Sequence, residues 1–133
     1  MIENKFPGKD VSLDDLKTKI PKSAKKHKDH FSEFEISGVR FGKGYCPVFA
    51  GPNMVEGREF IRDLAHTLKG IGVSFLRGGA FKPLTFPYRS EKYTESRLDG
   101  IRWLSKAKEE TGVPVITEVM ETKYLKDICE VAD

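Results

Sequence analysis

Hydrophobic and polar positions change their period twice along the chain. At the start, Leu13, Leu16 and Ile20 recur at helical spacing behind Ser12-Leu13-Asp14-Asp15. That quartet has the form of a capping box with Asp where Glu is usual, and it predicts a short helix ended by Pro21. Lysines then cluster at Lys22, Lys25, Lys26 and Lys28. Residues 1–32 as a whole read as a polar, Lys-rich extension of a domain covering residues 33–133. In the next stretch Phe34 and Ile36 alternate with Glu33 and Glu35, and Val39 and Phe41 alternate with Arg40 and Gly42. Ser37-Gly38 lies between the two runs, so strands near 33–36 and 39–42 are predicted to pair as a hairpin.

From residue 46 a unit repeats three times: a short apolar run, a loop, then a helical pattern. The predicted strands are 47–50, 73–76 and 115–117. The first helix runs over about 56–70 with Phe60, Ile61, Leu64, Ala65 and Leu68 on its inner face. The second covers about 94–111 with Leu98, Ile101, Leu104 and Ala107 inward, and the third passes through Tyr124, Leu125, Ile128 and Val131. Strands that do not alternate, each followed by a helix, imply a parallel sheet covered by helices. Right-handed crossovers put the C-terminal ends of all three strands on one edge, where α/β proteins carry their chemistry.

Composition narrows the class. With 133 residues, 38% of them hydrophobic and 32% charged, the chain suffices for one domain with a modest core. No run approaches the roughly 18 apolar residues of a membrane-spanning helix, and the first ten residues lack the apolar stretch of a secretory signal. Two cysteines, Cys46 and Cys129, are too few for a disulfide framework or a cysteine-built metal site, so a reducing, cytoplasmic setting is expected. Both are expected to pack as small hydrophobes, and Trp103 as a packing residue. The formal net charge is only +3. No aromatic ladder or groove-reading motif accompanies the lysine cluster, which is read as a solvated connector; nucleic acid is not expected as a partner.

The strand ends hold the candidate chemistry. The first runs into Ala50-Gly51-Pro52-Asn53-Met54-Val55-Glu56-Gly57, the second into Arg77-Gly78-Gly79-Ala80-Phe81-Lys82-Pro83-Leu84-Thr85, and the third into Thr117-Glu118-Val119. Arginine offers a bidentate fork for phosphate or carboxylate, lysine a compact charge, and two glycines allow close backbone approach. The set describes a rim for an anionic, phosphorylated small molecule.

These strings, FAGPNMVEG, LRGGAFKPLTFPY and ITEV, resemble the type I 3-deoxy-heptulosonate-7-phosphate (DAHP) synthase family and its sister 3-deoxy-octulosonate-8-phosphate synthases, over residues 33 to 133. The resemblance implies a (β/α)8 barrel, of which this chain offers three βα units behind a β-hairpin. It also implies an aldol-type condensation of phosphoenolpyruvate with an aldose phosphate such as erythrose 4-phosphate, a step of aromatic biosynthesis. There C3 of phosphoenolpyruvate attacks the aldehyde, water adds at C2 and phosphate leaves. Carried over by position, Arg77 and Lys82 match the residues that bind phosphoenolpyruvate, with Gly78 and Gly79 beside them. Thr85 matches the residue that helps hold the sugar phosphate, and Glu118 the acidic residue near phosphoenolpyruvate and the bound water. Lys82 and Glu118 are the expected catalytic pair.

Three departures qualify that expectation. Asn53 stands where most members carry a metal-binding Cys, and an amide oxygen is a weaker ligand than a thiolate for a transition metal; no metal or other cofactor is expected here. Metal-free octulosonate-phosphate synthases also carry Asn there. Leu84 replaces an Arg that grips the sugar phosphate, a charge-assisted contact worth ~1.5–3 kcal/mol. Finally, three units against the eight of a barrel leave the third strand with an open edge and the site half built. The expectation is a truncated member of that family, inactive alone; the alternatives are a non-catalytic phosphate-ligand-binding or assembly protein, or one half of a split barrel completed by self-association or a complementary chain.

Overall fold

The computed structural model of the chain describes residues 13–21, 23, 25–81 and 95–133. Expectations that fall on Ser12, Lys82, Leu84 and Thr85 lie outside the described residues. Helix α1 (Leu13–Lys19) occupies the place its apolar spacing indicates. Strands β1 (Phe34–Ile36) and β2 (Val39–Phe41) form an antiparallel pair with Phe34 opposite Phe41 and Ile36 opposite Val39. Ser37 and Gly38 both have positive φ, 48° and 78°, the two-residue turn whose twist matches that of a hairpin.

Strands β3 (Phe49–Ala50), β4 (Phe75–Arg77) and β5 (Val115–Ile116) form a parallel sheet in the order β3-β4-β5. The register sets Phe49 against Phe75, Ala50 against Leu76, Leu76 against Val115 and Arg77 against Ile116. Side chains alternate across a strand, so the register sorts them into two layers. Leu76 and Val115, both fully buried, meet Ile61, Ala65 and Leu68 of α2 (Arg58–Gly70) and Leu104 and Ala107 of α3 (Arg97–Thr111) in one core cluster, against which Trp103 packs. A second cluster joins Ala80, Phe81 and Ile101 to Ile128 of α4 (Leu125–Cys129), with Phe81 stacked on Tyr124 at 4.6 Å between ring centres.

The hairpin closes the opposite end of the sheet from the candidate rim. Phe41 stacks on Phe34 at 4.6 Å and reaches both Phe49 and Phe75 at 5.8 Å, joining the hairpin to the beginnings of β3 and β4. A polar clasp reinforces the junction. The Ser37 hydroxyl donates to Asp133 Oδ1 at 2.6 Å, and the Val115 N–H donates to Oδ2 at 2.8 Å. Lys108 of α3 pairs with the same carboxylate at 2.7 Å. Burial alone raises the pKa of Asp133, but the bonds from Lys108, Ser37 and Val115 outweigh it and hold the group below its ordinary value.

Three packing expectations are corrected. Phe60, predicted inward, is half exposed, and Leu125 is half exposed as well. Phe60 borders the buried stripe of Ile61, Ala65 and Leu68, and Leu125 opens a helix of only five residues that turns Ile128 to the core. Cys46 and Cys129 are exposed thiols, because Cys46 precedes the sheet and Cys129 lies beside Ile128 on the outer side of its helix. The last helical segment is also shorter than its pattern suggests: a 3-10 turn, Thr122–Tyr124, leads into α4, and Val131 falls in the turn behind it. No helix among the described residues is long and apolar enough to cross a membrane.

Candidate functional site at the strand ends

Four of the singled-out residues meet where β3, β4 and β5 end. Arg77 is the last residue of β4, and its side chain turns across the end of β3. Its Nη1 donates to the Pro52 carbonyl and its Nη2 to Asn53 Oδ1, each at 3.3 Å. A guanidinium held through both terminal nitrogens loses much of the rotamer freedom that a free arginine gives up on binding a ligand.

The glycines explain how closely the parts approach. Gly51 has φ +148°, and a Cβ there would collide with the Arg77 carbonyl, so the β3 loop can lie directly on β4 only as glycine. A Cβ on Gly79 would strike the Asn53 carbonyl and stand 2.7 Å from Glu118 Oε1. Gly79 is therefore the point at which the loop after β3 and the carboxylate after β5 close on the end of β4. Gly78 turns its Cα the other way, towards Leu104 and Val55.

Backbone and side-chain bonds fix the lip. The Val55 N–H donates to the Gly79 carbonyl at 2.9 Å, and the Gly78 N–H to the Ile116 carbonyl at 3.1 Å. Thr117 Oγ1 donates to the Gly78 carbonyl at 2.6 Å, tying the end of β5 to that of β4. Neither Thr117 nor the Pro52 carbonyl stood out in the sequence. Thr117 carried a readable sign, as the polar residue between strand and Glu118; a main-chain acceptor such as Pro52 carries none.

The described residues do not fit a metal at this lip. None of their His, Cys, Asp and Glu side chains form a group of three that could hold an ion. The Asn53 oxygen that would have to ligate one already accepts from a guanidinium, whose fixed positive charge opposes a divalent cation. What the arrangement can do is hold an anion at Arg77 next to a half-buried carboxylate that can order water.

The chain is similar to several known proteins. The family model described as the DAHP synthetase I family matches residues 18–133, beginning inside the segment read as an extension. A phospho-2-dehydro-3-deoxyheptonate aldolase of Thermotoga maritima is 39% identical over 99 residues, covering 74% of this chain and 28% of that protein. A 2-dehydro-3-deoxyphosphooctonate aldolase of Methylococcus capsulatus is 30% identical over 106 residues, covering 75% and 37%. Among solved structures, the T. maritima phospho-2-dehydro-3-deoxyheptonate aldolase (DAHP synthase) superposes with a TM-score of 0.67 at 36% identity, covering 78% of this chain and 29% of that one. The chain thus spans about a third or less of the length of the first relatives it matches. With the specific strings, the parallel strand ends and these matches in agreement, the chain belongs to the DAHP synthetase I family.

Proposed function

We propose that residues 33–133 form the first three βα units of a (β/α)8 barrel and carry, on their C-terminal lip, the phosphoenolpyruvate-binding part of a DAHP synthase-type site. The observation that supports this best is the Arg77 guanidinium, anchored on Pro52 and Asn53 within the lip that Gly79 and Glu118 complete. In the family's reaction phosphoenolpyruvate is attacked at C2 by water as its C3 joins an aldose-phosphate aldehyde. Arg77 neutralises the acid phosphate and Glu118 orders the water, while Gly78 and Gly79, expected beside the ligand, are instead buried against Leu104 and Val55 and against Asn53 and Glu118, where they let the lip close. Lys82 and Thr85 enter by their place in the motif, Lys82 as a second cation and catalytic partner and Thr85 towards the sugar phosphate. Phosphorylated substrates fit a cytoplasmic setting.

Three units supply one side of such a site, so the 133-residue chain by itself binds phosphoenolpyruvate without turning it over. A second reading, completion of the barrel by further strands or by another copy, is favoured by exposed apolar residues: Phe49 and Ile116, 43% and 40% exposed on the sheet face away from the helices, and Val119 and Met120, 45% and 52% exposed in the segment after β5. Calorimetric titration with phosphoenolpyruvate, beside a consumption assay with erythrose 4-phosphate, tests both. Binding weakened at least tenfold by Arg77→Ala, without turnover, is expected. Turnover by the pure chain that is lost in Lys82→Ala overturns the half-site; no binding overturns the ligand. A solution mass of one chain argues against completion by a second copy.

A further inference from the structure

Asn53 has no assigned task once a metal is set aside, yet it sits at the centre of the lip. Its side-chain oxygen accepts from Arg77 Nη2 at 3.3 Å while the preceding carbonyl, that of Pro52, accepts from Nη1 at the same distance. Its own carbonyl lies against Gly79 so closely that a Cβ there could not fit. Neighbouring loop atoms thus occupy both terminal nitrogens of one guanidinium, and the loop itself is pinned by the Val55 N–H on the Gly79 carbonyl at 2.9 Å. We infer that Asn53 is a positioning residue: its amide oxygen aims the Arg77 fork at the phosphate or carboxylate of the anionic ligand. The inference rests on the reading of Arg77 as the ligand-binding cation.

The physical argument is one of preorganisation. An arginine free to rotate must be ordered by its ligand, and that ordering subtracts from affinity. Each Nη carries two hydrogens, so one bond from each to the loop leaves the second hydrogens, with that of Nε, for an oxyanion. An amide suits the task better than a carboxylate, which would accept from Arg77 equally well but repel the incoming anion. A thiol would be a poor acceptor at this distance.

Two readouts on the full 133-residue chain separate this role from a merely structural one. The first is ordering of the Arg77 Nε–H group, measured by 15N relaxation and assigned through its loss in Arg77→Ala. The second is affinity for phosphoenolpyruvate. Asn53→Leu, similar in shape without an acceptor, is expected to free the Nε–H group and weaken binding about tenfold, with an unchanged circular-dichroism spectrum. Asn53→Asp restores the acceptor and is expected to restore the Nε–H ordering, which a general packing role does not predict. Equal ordering in wild type and Asn53→Leu overturns the inference, whatever the ligand. If phosphoenolpyruvate binds the wild type and is lost in Arg77→Ala but unaffected by Asn53→Leu, the positioning role falls while the proposed function stands. No binding by wild type overturns both the proposed function and the ligand aimed at here.

Discussion

Replacing Gly79 with alanine tests the lip where it is tightest. The new methyl carbon would collide with the Asn53 carbonyl and stand 2.7 Å and 3.3 Å from the two oxygens of Glu118. One obstacle is backbone and cannot rotate away. Gly79 cannot retreat either, because its carbonyl accepts from Val55 and its neighbour Gly78 is bonded to both Ile116 and Thr117. Overpacking of this kind costs ~1–3 kcal/mol. With an unfolding entropy of roughly 2.1 cal/mol/K per residue over this length, a loss of about 2 kcal/mol lowers Tm by about 7 °C. To restore ordinary contact the same collision moves Glu118 by about 0.7 Å and pushes the Asn53 loop off Arg77, so affinity for phosphoenolpyruvate falls at least fivefold. Leu68→Ala supplies the comparison. Leu68 is buried in the helix-side core, so its truncation costs about 2–4 kcal/mol while leaving affinity for phosphoenolpyruvate unaltered at a temperature where the chain is folded. Thermal melts followed by calorimetric titration measure both quantities. The reasoning is refuted if Gly79→Ala melts within 1 °C of wild type, which is roughly 0.3 kcal/mol, or if Leu68→Ala weakens binding as much as Gly79→Ala does.

Three further outcomes are expected. Asp133→Asn removes the partner of Lys108 and costs about 1–3 kcal/mol at neutral pH. Because the Asp133 pKa is lowered on folding, this contribution is present above the ordinary carboxylate value near 4 and disappears as pH falls through the folded value. Urea unfolding from pH 7 to pH 2 should therefore show the wild-type advantage shrinking below about pH 4; a constant difference contradicts it. Phe41→Ala removes the stack on Phe34 and the tilted contacts with Phe49 and Phe75 and costs about 2–3 kcal/mol, with faster amide exchange in β1 and β2 than elsewhere. Thr117→Val leaves the Gly78 carbonyl without its 2.6 Å donor and costs about 1 kcal/mol in urea unfolding, most of it recovered by Thr117→Ser.

Local signals made much of this architecture readable. The hairpin followed from alternation around Ser37-Gly38, and the parallel order from apolar runs spaced by helices. Boundaries shifted by a few residues: α2 begins at Arg58 where 56 was expected, and α3 at Arg97 where 94 was expected. Position along the chain cannot report contacts across it. The Ser37–Asp133 bond spans 96 residues, and the tilted contact of Phe41 with Phe49 and Phe75 at the starts of β3 and β4 brings together segments that share no period. At the site, Arg77, Asn53, Gly79 and Glu118 were legible because topology alone brings strand ends to one edge. The bonding of Arg77 to the loop was not legible, since it depends on a side chain crossing from one strand to the next.

The most direct test of the central claim is a backbone amide shift map recorded as phosphoenolpyruvate is added to the full chain. The largest displacements are expected at 51–55, 77–79 and 117–119, with the hairpin at 34–41 nearly still. Shifts concentrated on the hairpin end of the sheet, or none anywhere at saturating ligand, would contradict a phosphate-recognising lip at the C-terminal ends of these strands.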